Sequence, residues 1–221
     1  MESQDALKGQ HIFLLLKLVS LQKQEAAQPP VLANPQWSDW EDPDEEKVLQ
    51  QLGAMAGVKE GELRSRLYSL RAIEQTTGMP KSQVSRSLNH CREIGLLHED
   101  RVHQLPRVNR VALYGLLRHA VRYLFPVRPG ALSRGIATSL LAPEFHGLLH
   151  GGGELPLVWP DPYGKTKGQM IEPLYRTVPQ AVRRDTELYA LLALVDALRV
   201  GQPRECRLAE EQLAKRLEVK P

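Results

Sequence analysis

The stretch Ser69–Leu97, SLRAIEQTTGMPKSQVSRSLNHCREIGLL, predicts two helices joined by a tight turn. The first helix, residues 69–76, is expected to end at TTGMP, because Gly78 can leave the helical conformation and Pro80 cannot continue it. Ser82 is the predicted N-cap of the second helix, since its hydroxyl can accept a hydrogen bond from a first-turn backbone N–H. After this helix, Gly95-Leu96-Leu97 is typical of the start of a strand.

The second predicted helix has two chemically different faces. Its apolar residues recur at steps of three or four and are expected to face the core; they are Val84, Leu88, Cys91 and Ile94. The other face is polar and basic, with side chains that can bind base edges and phosphates in a major groove. These outward residues are Gln83, Arg86, Ser87, Asn89 and His90.

This pattern resembles the winged helix-turn-helix domains of bacterial transcriptional regulators of the MarR-like type, over about a third of the chain. The resemblance implies that KSQVSRSLNHCREIGLL is the recognition helix followed by the first strand of the wing. Such families usually have a small residue four positions before the turn glycine, where this sequence has Glu74. A generic helical hairpin would share the Gly/Pro turn and the cap, but its exposed face would more often carry Glu/Lys pairs.

Positive charge is concentrated around the motif. Residues 61–135 hold 13 Lys/Arg against 5 Asp/Glu, whereas residues 1–60 hold 5 against 10 and residues 136–221 hold 11 against 11. Lysine and arginine side chains neutralise phosphates, which supply most of the sequence-independent affinity for DNA. The charge distribution therefore favours a nucleic-acid partner.

Composition is that of an ordinary globular protein, with 42% hydrophobic and 25% charged residues among 221. No run approaches the roughly 18 apolar residues of a membrane span, and no signal peptide is evident, so a cytoplasmic location is expected. The two cysteines, Cys91 and Cys206, have no metal-ligand spacing, and no cofactor is predicted.

Upstream of the motif, residues 7–24 predict a helix with a broad apolar stripe. The proline-rich residues 25–43 predict a loop whose Trp37 and Trp40 either fold back onto the domain, which burial favours, or contact a partner. Residues 44–57 predict a short helix, and residues 59–68 one that continues into Ser69. Residues 25–60 thus form an acidic insertion that DNA would repel.

Downstream, residues 96–105 predict a short hairpin in which Arg101 and His103 are candidates for phosphate contacts, although a purely structural hairpin is equally consistent. Residues 108–124 predict a helix. Its expected apolar side is Val111, Leu113, Leu116, Leu117, Val121 and Leu124, and its expected outward side is Arg110, Arg118 and Arg122. The basic side suits either the DNA backbone or the solvated face of a dimerisation helix.

The C-terminal half predicts short extended segments followed by helices. LPLVWP (155–160) and QMIEPL (169–174) predict short strands or extended arms around Asp161–Gly164. Asp185 is expected to cap one helix, and Pro203 to begin another with Ala209, Leu213 and Leu217 inward. Residues 161–181 and 187–202 are similar to regions of uncharacterised helix-turn-helix proteins from mobile or defence-related operons, which implies a regulator that acts beside a partner gene product.

No catalytic constellation is apparent, so the protein is not expected to be an enzyme. Gly151-Gly152-Gly153 lacks the lysine and hydroxyl of a phosphate-binding loop, Pro160-Asp161 lacks the downstream lysine of a nuclease motif, and His146 and His150 lack an accompanying carboxylate. Packing or surface roles suit these residues better.

The sequence therefore predicts a mainly α fold: a winged helix-turn-helix with a small hairpin in residues 1–105, and a mostly helical dimerisation or partner-binding region in residues 106–221. The expected function is a sequence-specific transcriptional regulator, a dimeric repressor on double-stranded DNA. Bases would be contacted by Gln83, Ser85, Arg86 and Asn89, and phosphates by Lys81, Ser82 and Arg101. The alternative is an adaptor or antitoxin-like subunit whose helix-turn-helix no longer binds DNA.

Overall fold

The computed structural model describes residues 6–26, 39–41, 66–147 and 155–220, and the structural statements below concern these residues. Several predictions lie outside the described residues. They are the loop position of Trp37, the short helix at 44–57, most of the helix at 59–68, the glycine run and the place of His150.

This part of the chain contains seven α-helices and two small β-sheets, and helix is the predominant secondary structure. The helices are α1 (Gly9–Ala26), α2 (Leu70–Thr77), α3 (Lys81–Glu93), α4 (Arg110–Leu124), α5 (Val178–Val182), α6 (Thr186–Val200) and α7 (Pro203–Leu217). The strands are β1 (Leu97–Glu99), β2 (Pro106–Val108), β3 (Leu132–Thr138), β4 (Leu157–Pro160) and β5 (Thr166–Met170).

Two helices form the centre of the fold. The predicted opening helix is confirmed as α1, but it is buried on all sides from His11 to Gln22 rather than along one stripe. Helix α6, capped by Asp185 as predicted, is buried in the same way and packs against α1. Lys17, within the apolar run of α1, donates to Asp185 Oδ2 at 2.8 Å, and the Ser20 hydroxyl donates to Asp185 Oδ1 at 2.7 Å. A buried charge is tolerated here because it is paired and hydrogen-bonded.

The predicted helix pair is present as α2 and α3. Gly78 has φ +69° and ends α2, as its freedom from a Cβ allows. Continuation of an upstream helix through Ser69 was a wrong prediction: Ser69 has extended backbone (φ −64°, ψ 147°), and its hydroxyl caps α2 by accepting from Ala72 N–H at 3.2 Å.

The start and end of α3 also differ from the predictions. Pro80, not Ser82, occupies the N-cap position, and the backbone N–H of Lys81 donates to Glu74 Oε1 at 3.2 Å. The carboxylate from α2 thus supplies the acceptor that the Ser82 hydroxyl was expected to supply. Ile94 was expected inward but is 44% exposed, because α3 has already ended at Glu93.

A hairpin is present as predicted, with β1 antiparallel to β2 and Leu97 opposite Val108, but its second strand lies beyond the predicted end at Leu105. Its loop is shaped by Asp100, whose Oδ1 accepts from the backbone N–H groups of Val102 (2.9 Å) and His103 (2.6 Å). An acidic residue at the loop therefore has a structural reason, as side-chain oxygens of Asp commonly stabilise turns.

Helix α4 packs against α6 and α7, and its arginines are committed to that packing. Arg110 pairs with Glu218, Arg118 pairs with Glu210 at 3.2 Å, and Arg122 donates to the Leu198 carbonyl at 3.0 Å. The prediction of an outward Arg122 is therefore wrong, since its guanidinium donates hydrogen bonds to backbone carbonyl groups at the end of α6. The expected inward positions of Val111 and Leu124 are also wrong; they are 72% and 49% exposed.

The second sheet closes on itself. Strand β3 is antiparallel to both β4 and β5, which pair with each other in parallel. The strand predicted at 155–160 is confirmed as β4, the one predicted at 169–174 lies earlier as β5, and β3 was not predicted. Backbones approach closely here, so a Cβ on Gly164 would lie 2.0 Å from the carbonyl carbon of Gly135. Trp40 is 5% exposed and bridges to Gly164, which confirms that it folds back onto the protein.

One apolar core runs through the described residues and includes side chains from both sides of the predicted boundary at 105/106. Ala209, Leu213 and Leu217 of α7 are buried in it as predicted. None of the described helices combines the length and apolarity needed to cross a bilayer.

Candidate nucleic-acid interface

Helix α3 presents a polar face to solvent. Ser82, Arg86 and Asn89 are exposed, while Val84, Leu88 and Cys91 are buried on the opposite side. At about 100° per residue, the three exposed side chains share one face over two turns. Arg86 Nε donates to the Ser82 carbonyl at 3.2 Å, so the guanidinium is directed along this face.

Three residues predicted on this face lie elsewhere. Ser87 is buried and accepts from Gln10 Nε2 at 3.1 Å, so its outward position was a wrong prediction. His90 is half-buried, with its ring centroid 4.5 Å from that of His11. Gln83 has both ends of its amide engaged, since Nε2 donates to Gln10 Oε1 and Oε1 accepts from the Tyr175 hydroxyl at 2.8 Å.

The remaining predicted contacts flank the exposed face. Ser85 is half-buried, and Lys81 is exposed with Nζ 3.6 Å from Glu74 Oε2. Arg101 is exposed in the loop between β1 and β2. Arg92 on α3 pairs with Glu99 on β1 at 2.9 Å, which places the hairpin beside the C-terminal half of α3.

Acidic groups of the hairpin have internal partners. Glu99 is paired with Arg92, and Asp100 Oδ2 accepts from Arg107 Nε at 3.1 Å. The backbone N–H of His103, with Val102 and Arg107, holds the pKa of Asp100 below its usual value, so this carboxylate stays ionised. Arg101 therefore lies beside two acids that have basic partners, although Arg107 is shared between Asp100 and Glu25.

A polar network supports α3 from behind. The first turn of α1 supplies it: Gln10 contacts both Gln83 and Ser87, and His11 Nδ1 accepts from the backbone N–H of Lys8 at 3.0 Å. Burial lowers the pKa of His11 to about 4, with smaller contributions from His90 and Lys8. His11 is therefore neutral at pH 7 and acts as an acceptor.

This lowered pKa predicts a stability loss in acid. The folded pKa of His11, about 4, lies below its unfolded value of 6.5, so the unfolded chain binds more protons between these values. The contribution of His11 is complete above pH 6.5 and declines as pH falls towards 4. Urea unfolding at pH 7 and pH 4.5 should show that wild type loses up to about 2 kcal/mol more than His11→Asn. Equal losses in both proteins would contradict the assignment.

Two features of this surface could not be predicted from the sequence. Glu74 is an unusual residue four positions before the turn glycine, but its contact with the N-terminus of α3 depends on the side-chain direction, which residue spacing does not specify. Tyr175 comes from the C-terminal half and had no signal at all. Glu93, exposed on the same face, could have been found from its helical position.

The described residues offer little support for a metal site or a reactive thiol. No three His, Cys, Asp or Glu side chains of this part converge to form a metal site. Burial raises the pKa of the Cys91 thiol to about 12 and raises that of Cys206 as well, so both are protonated at neutral pH.

Comparison with known proteins identifies no relative: no family model, no curated protein and no solved structure matches the chain.

Proposed function

We propose that this protein is a sequence-specific DNA-binding regulator that inserts α3 into the major groove. The observation that carries the proposal is the exposed face of α3, on which Ser82, Arg86 and Asn89 stand opposite a fully buried side. Helices of this diameter fit the major groove, where each base pair presents a distinct set of donors and acceptors. The order of α1, α2, α3 and the β1–β2 hairpin supports a winged helix-turn-helix.

Each side chain has a role that suits its chemistry. Arg86 contacts guanine through its bidentate guanidinium, and Asn89 contacts adenine through its amide. Lys81, Ser82 and Arg101 hold phosphates on either end of the helix. Gln83 is a positioning residue, because its amide joins α3 to Gln10 and Tyr175.

The functional form is a two-fold dimer acting as a cytoplasmic repressor. Specific protein–DNA interfaces bury about 1,000–2,500 Å² of protein surface, more than one helix and one hairpin provide. Two copies related by a two-fold axis would contact two half-sites one helical turn apart. Sedimentation with and without the operator duplex tests this stoichiometry.

A second candidate is a protein-interaction subunit that does not bind DNA. It is favoured by adjacent apolar side chains at the C-terminal end of α4, where Tyr123 and Leu124 are 79% and 49% exposed. Exposed apolar patches commonly mark protein contacts.

Salt dependence separates the two candidates. For wild type and a random-sequence duplex, we expect the logarithm of the association constant K to fall linearly with the logarithm of the salt concentration. The slope should be about −0.9 for each phosphate neutralised, and about −2 or steeper in total. Fluorescence anisotropy between 50 and 300 mM salt, roughly the range where this term dominates, measures the slope. An interaction subunit would show no binding at any salt concentration.

Glu74→Gln should tighten DNA binding. The carboxylate lies where a phosphate would approach the N-terminus of α3 and Lys81. Its removal relieves repulsion of the phosphate, while the glutamine oxygen can still accept from the Lys81 N–H. We expect about twofold to fivefold tighter binding of random-sequence DNA at low salt. Glu211→Gln, on the exposed side of α7, is the matched control, and unchanged or weaker binding by Glu74→Gln would contradict this role.

A further inference from the structure

Helix α3 has two flanks beside its exposed face. Lys81, Ser85 and Arg92 form one flank, which faces α2 and the hairpin through the Glu74 and Glu99 contacts. Gln83 and His90 form the other, which faces the first turn of α1. A helix in the major groove has a sugar–phosphate backbone along each flank. Of the phosphate contacts proposed so far, the two cations, Lys81 and Arg101, lie on the first flank, so the second flank needs cations of its own.

A segment of the C-terminal half is fixed beside this second flank. We call it the Tyr175 segment (residues 175–184). Tyr175 donates to Gln83 Oε1 at 2.8 Å and stacks on Phe13 with ring centroids 5.7 Å apart. Thr177 Oγ1 donates to the Thr77 carbonyl at 2.5 Å, and Arg184 Nη1 lies 3.5 Å from the Gln75 carbonyl. These contacts converge on the last turn of α2 and the first turn of α3.

The contact between the two parts is close as well as polar. A Cβ added to Gly78, in the turn between α2 and α3, would lie 3.1 Å from Thr177. Helix α5, within the Tyr175 segment, also packs against α2. The Tyr175 segment is therefore held against α2 and α3 along its length, and its position relative to these helices is fixed.

Two exposed cations accompany these contacts. Arg176 lies between Tyr175 and Thr177, both of which are anchored on the helix pair, and its own side chain is exposed. Adjacent Cα atoms are about 3.8 Å apart, so the backbone of Arg176 lies beside the turn between α2 and α3. Lys8 is exposed just before α1, and its backbone N–H is tied to His11, which contacts His90 on the same flank.

We propose that Arg176 and Lys8 bind the DNA phosphates along the second flank of α3, so that the C-terminal half contributes directly to the DNA-binding surface. This inference rests on the proposed function. It assigns the two flanks of α3 to the two backbones of the groove, with Lys81 and Arg101 on one and Arg176 and Lys8 on the other.

The test uses the full chain and a random-sequence duplex. Arg176→Ala and Lys8→Ala are each expected to reduce the slope of log K against log salt by about 1, and the double variant by about 2. Sequence preference should not change, because phosphates carry no base information. Arg176→Lys should retain the wild-type slope. Arg204→Ala, an exposed arginine on α7, is the matched control and should leave both slope and affinity unchanged.

The results of this test distinguish the proposed phosphate contacts of Arg176 and Lys8 from the proposed function as a whole. If wild type binds with a steep slope and Arg176→Ala has the same slope, the inference is wrong and the proposed function stands. A slope reduced to the same extent by Arg204→Ala would also overturn the inference, since it would show a general charge effect. If wild type shows no salt-dependent binding, both are wrong. Circular dichroism of each variant establishes that it is folded.

Discussion

Asp185→Ala is expected to lower the free energy of unfolding by about 3–5 kcal/mol. The substitution leaves the ammonium of Lys17 buried without its carboxylate, at 3% residue exposure, in an apolar core. It also removes the acceptor of the Ser20 hydroxyl and the cap on the Leu188 N–H at 2.9 Å. Urea unfolding followed by circular dichroism at pH 7 measures the loss.

Two further variants separate charge from packing. Lys17→Met with Asp185→Asn removes both charges and keeps a capping side chain, so it should recover most of the stability, because replacing both partners avoids an unpaired buried charge. Glu210→Ala breaks the partly exposed pair with Arg118 and should cost less than about 1 kcal/mol. If Asp185→Ala cost no more than Glu210→Ala, the buried pair would not hold α1 against α6.

Arg86→Ala is expected to weaken operator binding by about 1–3 kcal/mol, or about 5- to 150-fold. Arg86 is exposed at the centre of the face formed with Ser82 and Asn89. A bidentate arginine–guanine contact distinguishes one base from the other three, so the variant should also lose its preference at one base step. Anisotropy at fixed salt with the operator, and with duplexes altered at each step, measures both effects.

The control for this variant is Arg204→Ala, which removes the same charge from α7 and should bind the operator as wild type does. Arg86→Lys should keep much of the salt-dependent affinity but weaken the base preference, because lysine lacks the rigid planar fork that arginine presents to guanine. Unchanged affinity and preference in Arg86→Ala would show that α3 does not contact bases.

Local signals predicted much of this fold. Gly78 ended α2, Asp185 capped α6, Pro203 began α7, and helical spacing identified Val84, Leu88 and Cys91 as core. Each of these depends on residues within one or two turns, which is the distance over which sequence patterns are informative.

Side-chain and strand positions that depend on residues distant in the sequence were not predicted. Gln83 and Ser87 have polar side chains typical of an exposed face. Both instead form hydrogen bonds with Gln10, more than 70 residues earlier in the chain, and are directed inward. Arg122 is turned towards α6 by carbonyls near residue 200. Strand β3 has no alternating pattern and exists because β4 and β5 pair with it on both edges. The helix of the candidate site was therefore predicted, but not the partners, Gln10 and Tyr175, that contact one flank of it.

Selection of bound duplexes from a random DNA pool tests whether α3 recognises a DNA sequence. We expect enrichment of one sequence with two inverted half-sites about 10–10.5 base pairs apart, containing a guanine and an adenine at positions set by Arg86 and Asn89. Arg86→Ala, put through the same selection, should lose the guanine preference and keep the others. A pool that remains unenriched with the wild-type protein would contradict the proposal that α3 recognises a DNA sequence.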